Sequence, residues 1–423
     1  MSQQNHTQER LQAIAAIQKK LTGRHLTYRE VLAIMDEIAH NHLGDVLTTF
    51  FAASFFKEGF SSEELYHLTK AMVETGNQIH FKEKIIADKH STGGIAGTRT
   101  TMIIVPIIAA AGFHIPKNSS RAITSPAGTA DVMETLANVT FTPDKIKTIV
   151  AKTGGCIVWG GRLGIAPADD VIINVEQQLS FEAFDKIIVS IMAKKVAMGT
   201  THLVLDIPIG PTAKVKHTKD AQLIAKKFVA LGAKFGMNVV CDIDRVHEPS
   251  GCGVGPILEA RDVLYVLECS PLAPAPLREK SLRLAATLLD QCYRSAGINK
   301  VGLEQARNIL ESGQALAKFR EIVKAQGGDS TISSHSLKLA RHTKKILAPK
   351  AGTITSVNNY NINSIAKLLG APHDNKAGII LTGRKGDKVK KAEVILTLYS
   401  TNLHNIHEAQ ETLPKFPIYE IRA

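Results

Sequence analysis

The chain has 423 residues, of which 44% are hydrophobic and 21% are charged, and its formal net charge is +12. This length exceeds one ordinary hydrophobic core and indicates two or three domains. The longest apolar stretch, Met102 to Phe113, is shorter than the roughly 20 residues of a membrane helix, which argues against a membrane protein. The positive charge is spread along the chain, so it favours attraction of phosphate or nucleotides over nucleic-acid binding.

Two features concern the cellular compartment. The N-terminal residues Met1 to Arg10 are polar and lack the apolar core of a signal peptide. The five cysteines are an odd number and show no CxxC spacing. We therefore expect free thiols in a reducing cytoplasm and no structural zinc.

The first part of the chain, up to Gly76, has the sequence pattern of a small helical lobe. The segments Thr27 to Glu30 and Ser61 to Glu64 both fit a capping box, in which a Ser or Thr and a Glu three residues later cap the start of a helix. An apolar-periodic run follows each segment. Both segments therefore predict helix starts.

The sequence pattern changes from about Ile85. Short β-branched runs then alternate with helical patterns and glycine-rich turns, for example at His202 to Ile207 and Asn238 to Ile243. This alternation predicts an α/β domain with a mainly parallel sheet, in which ligands collect at the carboxyl ends of the strands. From about Ile346 onwards, strand patterns and one helical segment predict a compact C-terminal α+β unit.

The first candidate site follows the strand-like run Ile85-Ile86-Ala87. It reads Asp88-Lys89-His90-Ser91-Thr92-Gly93-Gly94, and a long apolar helical pattern comes after it. Glycines let backbone N–H groups approach a phosphate, and a helix N-terminus favours negative charge, so this arrangement builds an anion site. Lys89 adds a positive charge, while Ser91 and Thr92 add hydroxyl donors. A glycine-rich turn without a ligand is the alternative, and this combination of residues favours phosphate.

A second polar cluster lies at Asn118-Ser119-Ser120-Arg121 and continues from Ser125 to Asp131. It ends where a helix is predicted to begin, at Ala130. Hydroxyl groups and an arginine at a helix N-terminus suit a second face of the same phosphate. Alone, the cluster is a polar loop with capping residues, but two such loops in one α/β unit strengthen each other.

Weaker candidates lie elsewhere in the chain. Ser190 and Lys194 are four residues apart in a helical pattern and share one helix face, where they can bind the edge of a base. A solvated helix face is the simpler explanation of this pair. By themselves, Lys214 is a loop lysine and His90 is either a polarising group or a packing residue.

These motifs together resemble the thymidine/AMP phosphorylase family. The resemblance rests on Lys89-His90-Ser91-Thr92-Gly93-Gly94, Ser119, Arg121, Gly128-Thr129 and Ser190-Ile191-Met192-Ala193-Lys194-Lys195, in the family's order and at nearly its spacing. It implies an α/β, nucleoside-phosphorylase-type fold with a small all-helical lobe, a larger α/β lobe with a mainly parallel sheet and a C-terminal α+β domain. The implied boundaries are 1–78 and 166–200 for the helical lobe, 79–165 and 201–340 for the α/β lobe, and 341–423 for the C-terminal domain. A homodimer or higher homo-oligomer is expected.

The resemblance also implies a reaction, namely phosphorolysis. Phosphate attacks the anomeric carbon of a (deoxy)ribose and releases a free base and a sugar 1-phosphate. Because bound phosphate is itself the nucleophile, no cofactor and no metal are expected, and the protein must position the anion, stabilise the departing base and exclude water. The residues implied to hold phosphate are Lys89, Ser91, Gly94, Ser119 and Thr129. The residues implied to contact the nucleoside or nucleotide are Ser120, Arg121, Ser125, Asp169, Ser190, Lys194 and Lys214.

Departures from ordinary thymidine phosphorylases resemble a second branch of the family. Those enzymes place an arginine before an Asp-Val or Asp-Ile pair to grip the pyrimidine, whereas Asp169 stands there in this chain. The second branch contains archaeal AMP phosphorylases and bacterial members named thymidine phosphorylases. Its AMP enzymes use an aspartate as proton donor to the leaving base, which corresponds to Glu182 here, and His90 is a further catalytic candidate. An extra N-terminal domain, frequent in this branch, is expected to be absent or removed.

The leading hypothesis from the sequence is phosphorolysis of thymidine to thymine and 2-deoxyribose 1-phosphate. The alternative is a nucleoside 5′-monophosphate phosphorylase that releases ribose 1,5-bisphosphate, and Asp169 in place of arginine favours it chemically. A phosphoribosyltransferase of the same fold is disfavoured because the loop continues as Ile95-Ala96-Gly97 without acidic metal ligands. A non-catalytic nucleotide-binding or RNA-binding protein is the alternative from a different class. The expected partners are small molecules, with neither nucleic acid nor membrane.

Overall fold

The computed structural model describes residues 3–57, 59–122, 125–179 and 183–423. The helices are α1 (Gln3–Leu21), α2 (Tyr28–Ala39), α3 (Gly44–Lys57), α4 (Ser62–Glu74), α5 (Thr101–Ala110), α6 (Thr129–Glu134), α7 (Pro143–Thr153), α8 (Pro167–Leu179), α9 (Phe184–Ala197), α10 (Thr218–Lys234), α11 (Pro256–Leu267), α12 (Ala275–Ala296), α13 (Gly302–Glu311), α14 (Gln314–Ala325), α15 (Asn359–Leu368) and α16 (Leu403–Thr412). The strands are β1 (Ala87–Ser91), β2 (Ile115–Ser119), β3 (Gly155–Trp159), β4 (His202–Ile209), β5 (Asn238–Arg245), β6 (Gly253–Val254), β7 (His342–Leu347), β8 (Gly352–Val357), β9 (Gly378–Leu381), β10 (Lys388–Val389), β11 (Val394–Ser400) and β12 (Tyr419–Arg422). Within these ranges, no helix combines the length and apolar character needed to cross a bilayer.

The chain divides into two compact units. The helical unit comprises Met1–Ile86, Gly160–Leu203 and Gln222–Val240, and the α/β unit comprises Ala87–Trp159, Val204–Ala221 and Cys241–Ala423. In this division, residues 222–240 group with the helical unit and the C-terminal residues group with the α/β unit. The predicted domain boundaries stay predictions.

In the helical unit, both predicted capping boxes are confirmed. The Thr27 hydroxyl accepts the backbone N–H of Glu30 at the start of α2, and the Glu30 carboxylate accepts the backbone N–H of Thr27 at 2.7 Å. Ser61 and Glu64 make the same reciprocal bonds at the start of α4. These bonds satisfy N–H groups that have no partner inside the helix, and so they fix where each helix begins.

In the α/β unit, β2 and β3 pair in parallel, from Ile115 opposite Gly155 to Ser119 opposite Trp159. Strands β1, β4 and β5 form a three-stranded sheet in that order. Helix α5 is apolar and buried along nearly its whole length. It therefore forms a central part of the core, as its sequence predicts.

The position of β1 differs from the sequence analysis. That analysis placed the strand at Ile85 to Ala87 and assigned the next residues to a turn, whereas β1 continues through Lys89 and His90 to Ser91. The polar residues remain in the strand because their charges find buried partners on neighbouring elements: the Lys117 ammonium lies 3.0 Å from the Asp88 carboxylate. A buried charge is tolerated where it is paired.

The C-terminal part of the α/β unit contains two sheets, with strand orders β10-β8-β12 and β6-β9-β11-β7. The described pairings in both sheets are antiparallel. The sequence predicts strands at Gly352 to Thr355 and Val389 to Tyr399, with a helix at Ile362 to Leu369 between them. These elements are confirmed as β8, β11 and α15, although β11 begins only at Val394 and α15 begins at Asn359. Their shared core includes Ala96 and Val254, so these strands pack on residues of the preceding α/β segment.

Candidate functional site

Lys89 is the central cation of the candidate phosphate site in the α/β unit. Its Nζ donates a hydrogen bond to Oγ1 of Thr100, the residue before α5, at 2.9 Å and lies 3.7 Å from Oδ2 of Asp206. The side chain is only 4% exposed. Burial lowers its pKa to about 8, because desolvation disfavours the charged form. An ammonium group in this environment gains strongly from an additional anion.

The glycine turn after β1 has the backbone geometry that the sequence predicted. Gly93 and Gly94 both have positive φ, +82° and +97°, a region that favours glycine. A Cβ on Gly94 would lie 2.9 Å from Cγ and 3.0 Å from N of Lys214, so two predicted site residues are in close contact. Oγ1 of Thr92 is buried and, among the described residues, has no hydrogen-bond partner. This hydroxyl is available to a ligand.

Arg99 joins the two predicted phosphate loops. Its guanidinium donates to Oγ1 of Thr129 and to the carbonyl of Ala127, both at 2.9 Å, and to Oε2 of Glu259 at 2.6 Å. It also lies near enough to Lys89 to lower the pKa of that lysine. The sequence analysis did not single out Arg99. The signal that could have identified Arg99 was its position between a glycine turn and the start of a helix.

The second loop begins where β2 ends, at Ser119. The carbonyl of Ser120 accepts the backbone N–H of Ala130 at 3.3 Å, which ties this loop to α6. Gly128 passes so close to the loop that an added Cβ would lie 2.5 Å from the Ser120 carbonyl oxygen. The loop and the start of α6, where Thr129 lies, are therefore held together by backbone contacts.

Arg121 of this loop is held by two carboxylates of α6. Its guanidinium donates to Asp131 at 3.2 Å and to Glu134 at 2.7 Å, and it lies 4.7 Å from the centre of the Trp159 ring. The predicted contact between Arg121 and substrate therefore has to compete with two internal carboxylates. Oγ of Ser125 donates to the carbonyl of Ala127 at 2.9 Å.

A cavity of about 880 Å³ lies beside this loop within the α/β unit. Arg121 and Ser125 line one side, and residues after α15, among them His373, line the other together with Lys367 of α15. The lining also includes Asp131 and Glu134, the two carboxylates that hold Arg121, so its charges are of both signs. An anionic substituent in the cavity would have Lys367 and His373 as its basic neighbours besides this ion-paired arginine.

In the helical unit, Asp169 organises the predicted base-binding pair. Its Oδ2 accepts hydrogen bonds from the Ser190 hydroxyl and the Lys194 ammonium, both at 2.6 Å. Lys186 lies 3.5 Å from Oδ1. Burial opposes ionisation of Asp169, but the two lysines outweigh it and lower the pKa to about 2. The three residues predicted at this site are thus brought together, with Asp169 as their anchor.

Asp170, the next residue of α8, has the opposite electrostatic character. Burial and the charge of Asp169 raise its pKa to about 6, although Lys194 opposes the shift. A carboxyl group with a pKa of about 6 keeps a larger protonated fraction near neutral pH than an ordinary aspartate, and such a group can protonate a leaving base. The sequence analysis did not assign a role to Asp170, since pKa depends on burial that a sequence does not reveal.

Three further predictions concern Glu182, His90 and the expected absence of a metal. Glu182, the predicted proton donor, lies outside the described residues. His90 lies in β1, and its catalytic role stays a prediction. Among residues 3–57, 59–122, 125–179 and 183–423, no cluster of three or more His, Cys, Asp or Glu side chains is placed to hold a metal ion.

Comparisons with known proteins address the identity of this chain. Residues 14–76 match "Glycosyl transferase family, helical bundle domain", residues 83–241 match "Glycosyl transferase family, a/b domain", and residues 353–416 match "Pyrimidine nucleoside phosphorylase C-terminal domain". An "AMP phosphorylase" of Natronomonas pharaonis is 41% identical over 400 residues, which cover 95% of this chain and 79% of that protein. The chain belongs to the thymidine/AMP phosphorylase family. A "Putative thymidine phosphorylase" of Legionella pneumophila (strain Paris) is also 41% identical, over 95% of this chain and 77% of that protein.

Solved structures extend the comparison to the fold. Anthranilate phosphoribosyltransferase from Thermus thermophilus matches with a TM-score of 0.62 at 17% identity, over 74% of this chain and 99% of that chain. The enzyme from Saccharomyces cerevisiae matches with a TM-score of 0.59 at 14% identity, over 74% and 98%. Identity this low speaks for the fold alone, and the predicted fold class is confirmed.

Membership of the thymidine/AMP phosphorylase family confirms the predicted enzyme class at a coarse level. The chain is a pentosyltransferase of the phosphorylase type. Relatives with both substrate names are equally similar to it, at 41% identity. The roles of individual site residues stay predictions.

Proposed function

We propose that this phosphorylase cleaves the N-glycosidic bond of a nucleoside 5′-monophosphate with inorganic phosphate. A phosphate oxygen forms a bond to the anomeric carbon while the carbon–nitrogen bond breaks. The electron pair of the broken bond stays on the base nitrogen, which takes up a proton. The products are a free base and ribose 1,5-bisphosphate. The observation that carries the reaction type is the buried Lys89 ammonium beside the glycine turn.

The phosphate nucleophile is assigned to the loops of the α/β unit. Lys89 supplies charge, Thr92 supplies a buried hydroxyl without a partner in the described part of the chain, and Gly93 and Gly94 shape the turn beside them. Arg99 adds a second cation and holds Thr129. Buried, fixed donors stabilise an anion more strongly than mobile ones because they need no reorganisation during the reaction.

The departing base is assigned to the Ser190 and Lys194 pair of the helical unit. Asp169 fixes both side chains, so their donors are pre-positioned. Two carboxyl groups are candidates for the proton donor. Glu182 corresponds to the family's aspartate, and Asp170 has a pKa raised to about 6.

The 5′-monophosphate is preferred as substrate for two reasons. The cavity next to the predicted phosphate loops is lined by Lys367 and His373, which suit a second phosphate group, and by Arg121, which would have to exchange its bonds to Asp131 and Glu134 for that group. Asp169 stands where pyrimidine-specific relatives have an arginine.

Thymidine is the second candidate substrate. It is favoured by the match of residues 353–416 to the pyrimidine nucleoside phosphorylase C-terminal domain and by the Legionella relative. Thymidine carries no phosphate, so it would make no use of Lys367 and His373 in the cavity lining.

The test is phosphate-dependent release of free base from AMP, CMP, UMP, thymidine and uridine, followed by chromatography. We expect turnover of at least one monophosphate, with ribose 1,5-bisphosphate as the second product. Lys89→Met should abolish the phosphate-dependent release of base. Lys84→Met, at an exposed position, should leave that release in place. Turnover of thymidine without any monophosphate reverses the substrate assignment. Absence of base release from all five compounds contradicts the proposed reaction.

A further inference from the structure

A row of ion-paired side chains with alternating charges leads away from Lys89 through the α/β unit. Asp206 in β4 lies between Lys89 and Lys280 of α12, and Lys280 also contacts Asp244 of β5 at 3.3 Å. Asp244 in turn accepts a hydrogen bond from Arg283 at 2.8 Å. The charges therefore alternate in sign from the buried phosphate loop outward.

The exposure of the side chains changes sharply along this row. The side chains of Lys89, Asp206 and Lys280 are 4%, 2% and 5% exposed, whereas Arg283 is 47% exposed. Electrostatic interactions are therefore strong at the inner end and screened at the outer end. Only the inner three groups are placed to influence an anion at Lys89.

The two carboxylate oxygens of Asp206 lie at different distances from two different lysines. Oδ1 lies 2.9 Å from Nζ of Lys280, whereas Oδ2 lies 3.7 Å from Nζ of Lys89. The closer pairing is with Lys280, although Lys89 is the residue that belongs to the phosphate loop. Lys280 thus takes up much of a counter-charge that would otherwise neutralise Lys89.

We propose that Asp206 and Lys280 are positioning residues of the phosphate site, in which Lys280 limits the pairing of Asp206 with Lys89 and leaves the Lys89 ammonium available to a dianion. This inference rests on the proposed role of Lys89 in binding phosphate. Neither residue needs to touch phosphate. Lys280 keeps an internal carboxylate from competing with the substrate, and Asp206 keeps Lys89 protonated.

The two residues affect Lys89 in opposite directions. Asp206 raises the pKa of Lys89 and Lys280 lowers it, while burial brings it to about 8. The other charged groups around Lys89 are Arg99, which precedes α5, Asp88 of β1, and Lys117 of β2, which donates to the Lys89 carbonyl. These three are the same in every variant below, so the comparison isolates Asp206 and Lys280.

The experiment measures the binding of sulfate by calorimetry between pH 6 and pH 9.5. Sulfate is a dianion that does not titrate in this range, so the pH dependence reports on the protein. The wild-type protein should lose affinity as pH rises through about 8. Circular dichroism at each pH checks that the variants are folded.

Opposite outcomes are expected for the two variants. Asp206→Asn should bind sulfate at least as tightly as wild type at pH 6, and its loss of affinity should move to lower pH by about one pH unit. Lys280→Met should bind roughly tenfold more weakly at pH 6, because Asp206 then pairs fully with Lys89. Its loss of affinity should move to higher pH by about one unit.

Control variants separate this role from structural damage. Lys280→Arg keeps the charge and should restore the wild-type pH profile, and Arg283→Met, at the exposed end, should leave that profile in place. Lys280→Gln replaces the Met variant if the latter does not fold. A shift of both profiles in the same direction, or sulfate binding with no shift in either variant, overturns the inference while the proposed function stands. A wild-type protein that binds no sulfate and releases no base contradicts the proposed function itself.

Discussion

Replacement of Asp169 by asparagine tests the electrostatic centre of the helical unit. Asp169 is fully buried, and one of its oxygens holds both Ser190 and Lys194 at 2.6 Å. Asparagine keeps the shape of the side chain but removes the charge that Lys194 and Lys186 share. We expect this variant to be less stable than wild type at neutral pH, because two lysines then lose an anionic partner.

The magnitude follows from the pKa of Asp169. The fall from 3.8 to about 2 amounts to about 1.8 pH units, or about 2.4 kcal/mol at 1.36 kcal/mol per unit. Removal of one partner from a buried ion pair costs about 3–5 kcal/mol. We therefore expect a loss of about 2–5 kcal/mol at pH 7. Because the folded-state pKa is lowered, this stabilisation is present above pH 3.8 and disappears as the pH falls through about 2.

The assay is urea unfolding at pH 7, followed by far-ultraviolet circular dichroism, to which helices of both units contribute. Trp159, the single tryptophan of the chain, lies in the α/β unit, so its fluorescence reports separately on that unit. We expect the midpoint of the helical signal to fall in Asp169→Asn, with a smaller effect on the fluorescence transition. Two probes are needed because a chain with two compact units need not unfold in one step.

The adjacent carboxylate provides a matched control. The pKa of Asp170 is raised to about 6, so its stabilising contribution is present below pH 3.8 and is lost as the pH rises through 6. Asp170→Asn should therefore leave stability at pH 7 unchanged or slightly higher. Equal destabilisation by the two variants, or an Asp169→Asn protein as stable as wild type, would refute this reasoning.

Three further predictions concern the α/β unit and the cysteines. Sulfate binding at pH 8.5 should be accompanied by uptake of up to about one proton, because an anion raises the pKa of Lys89 from about 8; calorimetry in buffers of different ionisation enthalpy measures the uptake, and an equal effect at pH 6 contradicts it. Gly94→Ala should reduce kcat/KM at least tenfold, since φ is +97° and the new Cβ would lie 2.9 Å from Cγ of Lys214. The control is Gly112→Ala, where φ is +91° and the space around the residue is open. A similar loss of kcat/KM in the control would assign the effect to backbone strain alone. Cys269 is exposed and should react first with a thiol reagent, whereas the two buried cysteines should react only after unfolding; a buried thiol that reacts in the native protein would contradict this order.

Much of the fold and part of the site could be predicted from the sequence. The capping boxes at Thr27 and Ser61, the glycine turn after β1 and the strands and helix of the C-terminal part all carry local signals. The extension of β1 through Lys89 to Ser91 was missed because a polar segment is stable in a buried strand only when distant residues pair with its charges.

The sequence by itself determined the features that neighbouring residues control: helix starts, the glycine turn, the α/β alternation and the family motifs. Only the tertiary structure decided which charges share a counter-ion. Arg99 pairs with Glu259, which is 160 residues away in the chain, and also donates to Thr129, while Lys280 pairs with Asp206. The reason is physical: helix caps and turns are made within a few residues, whereas the pKa and availability of a buried charge depend on whatever the fold packs around it. The predicted phosphate loop is therefore visible in the sequence, whereas the pairing of the charges beside it is set by residues far from it along the chain.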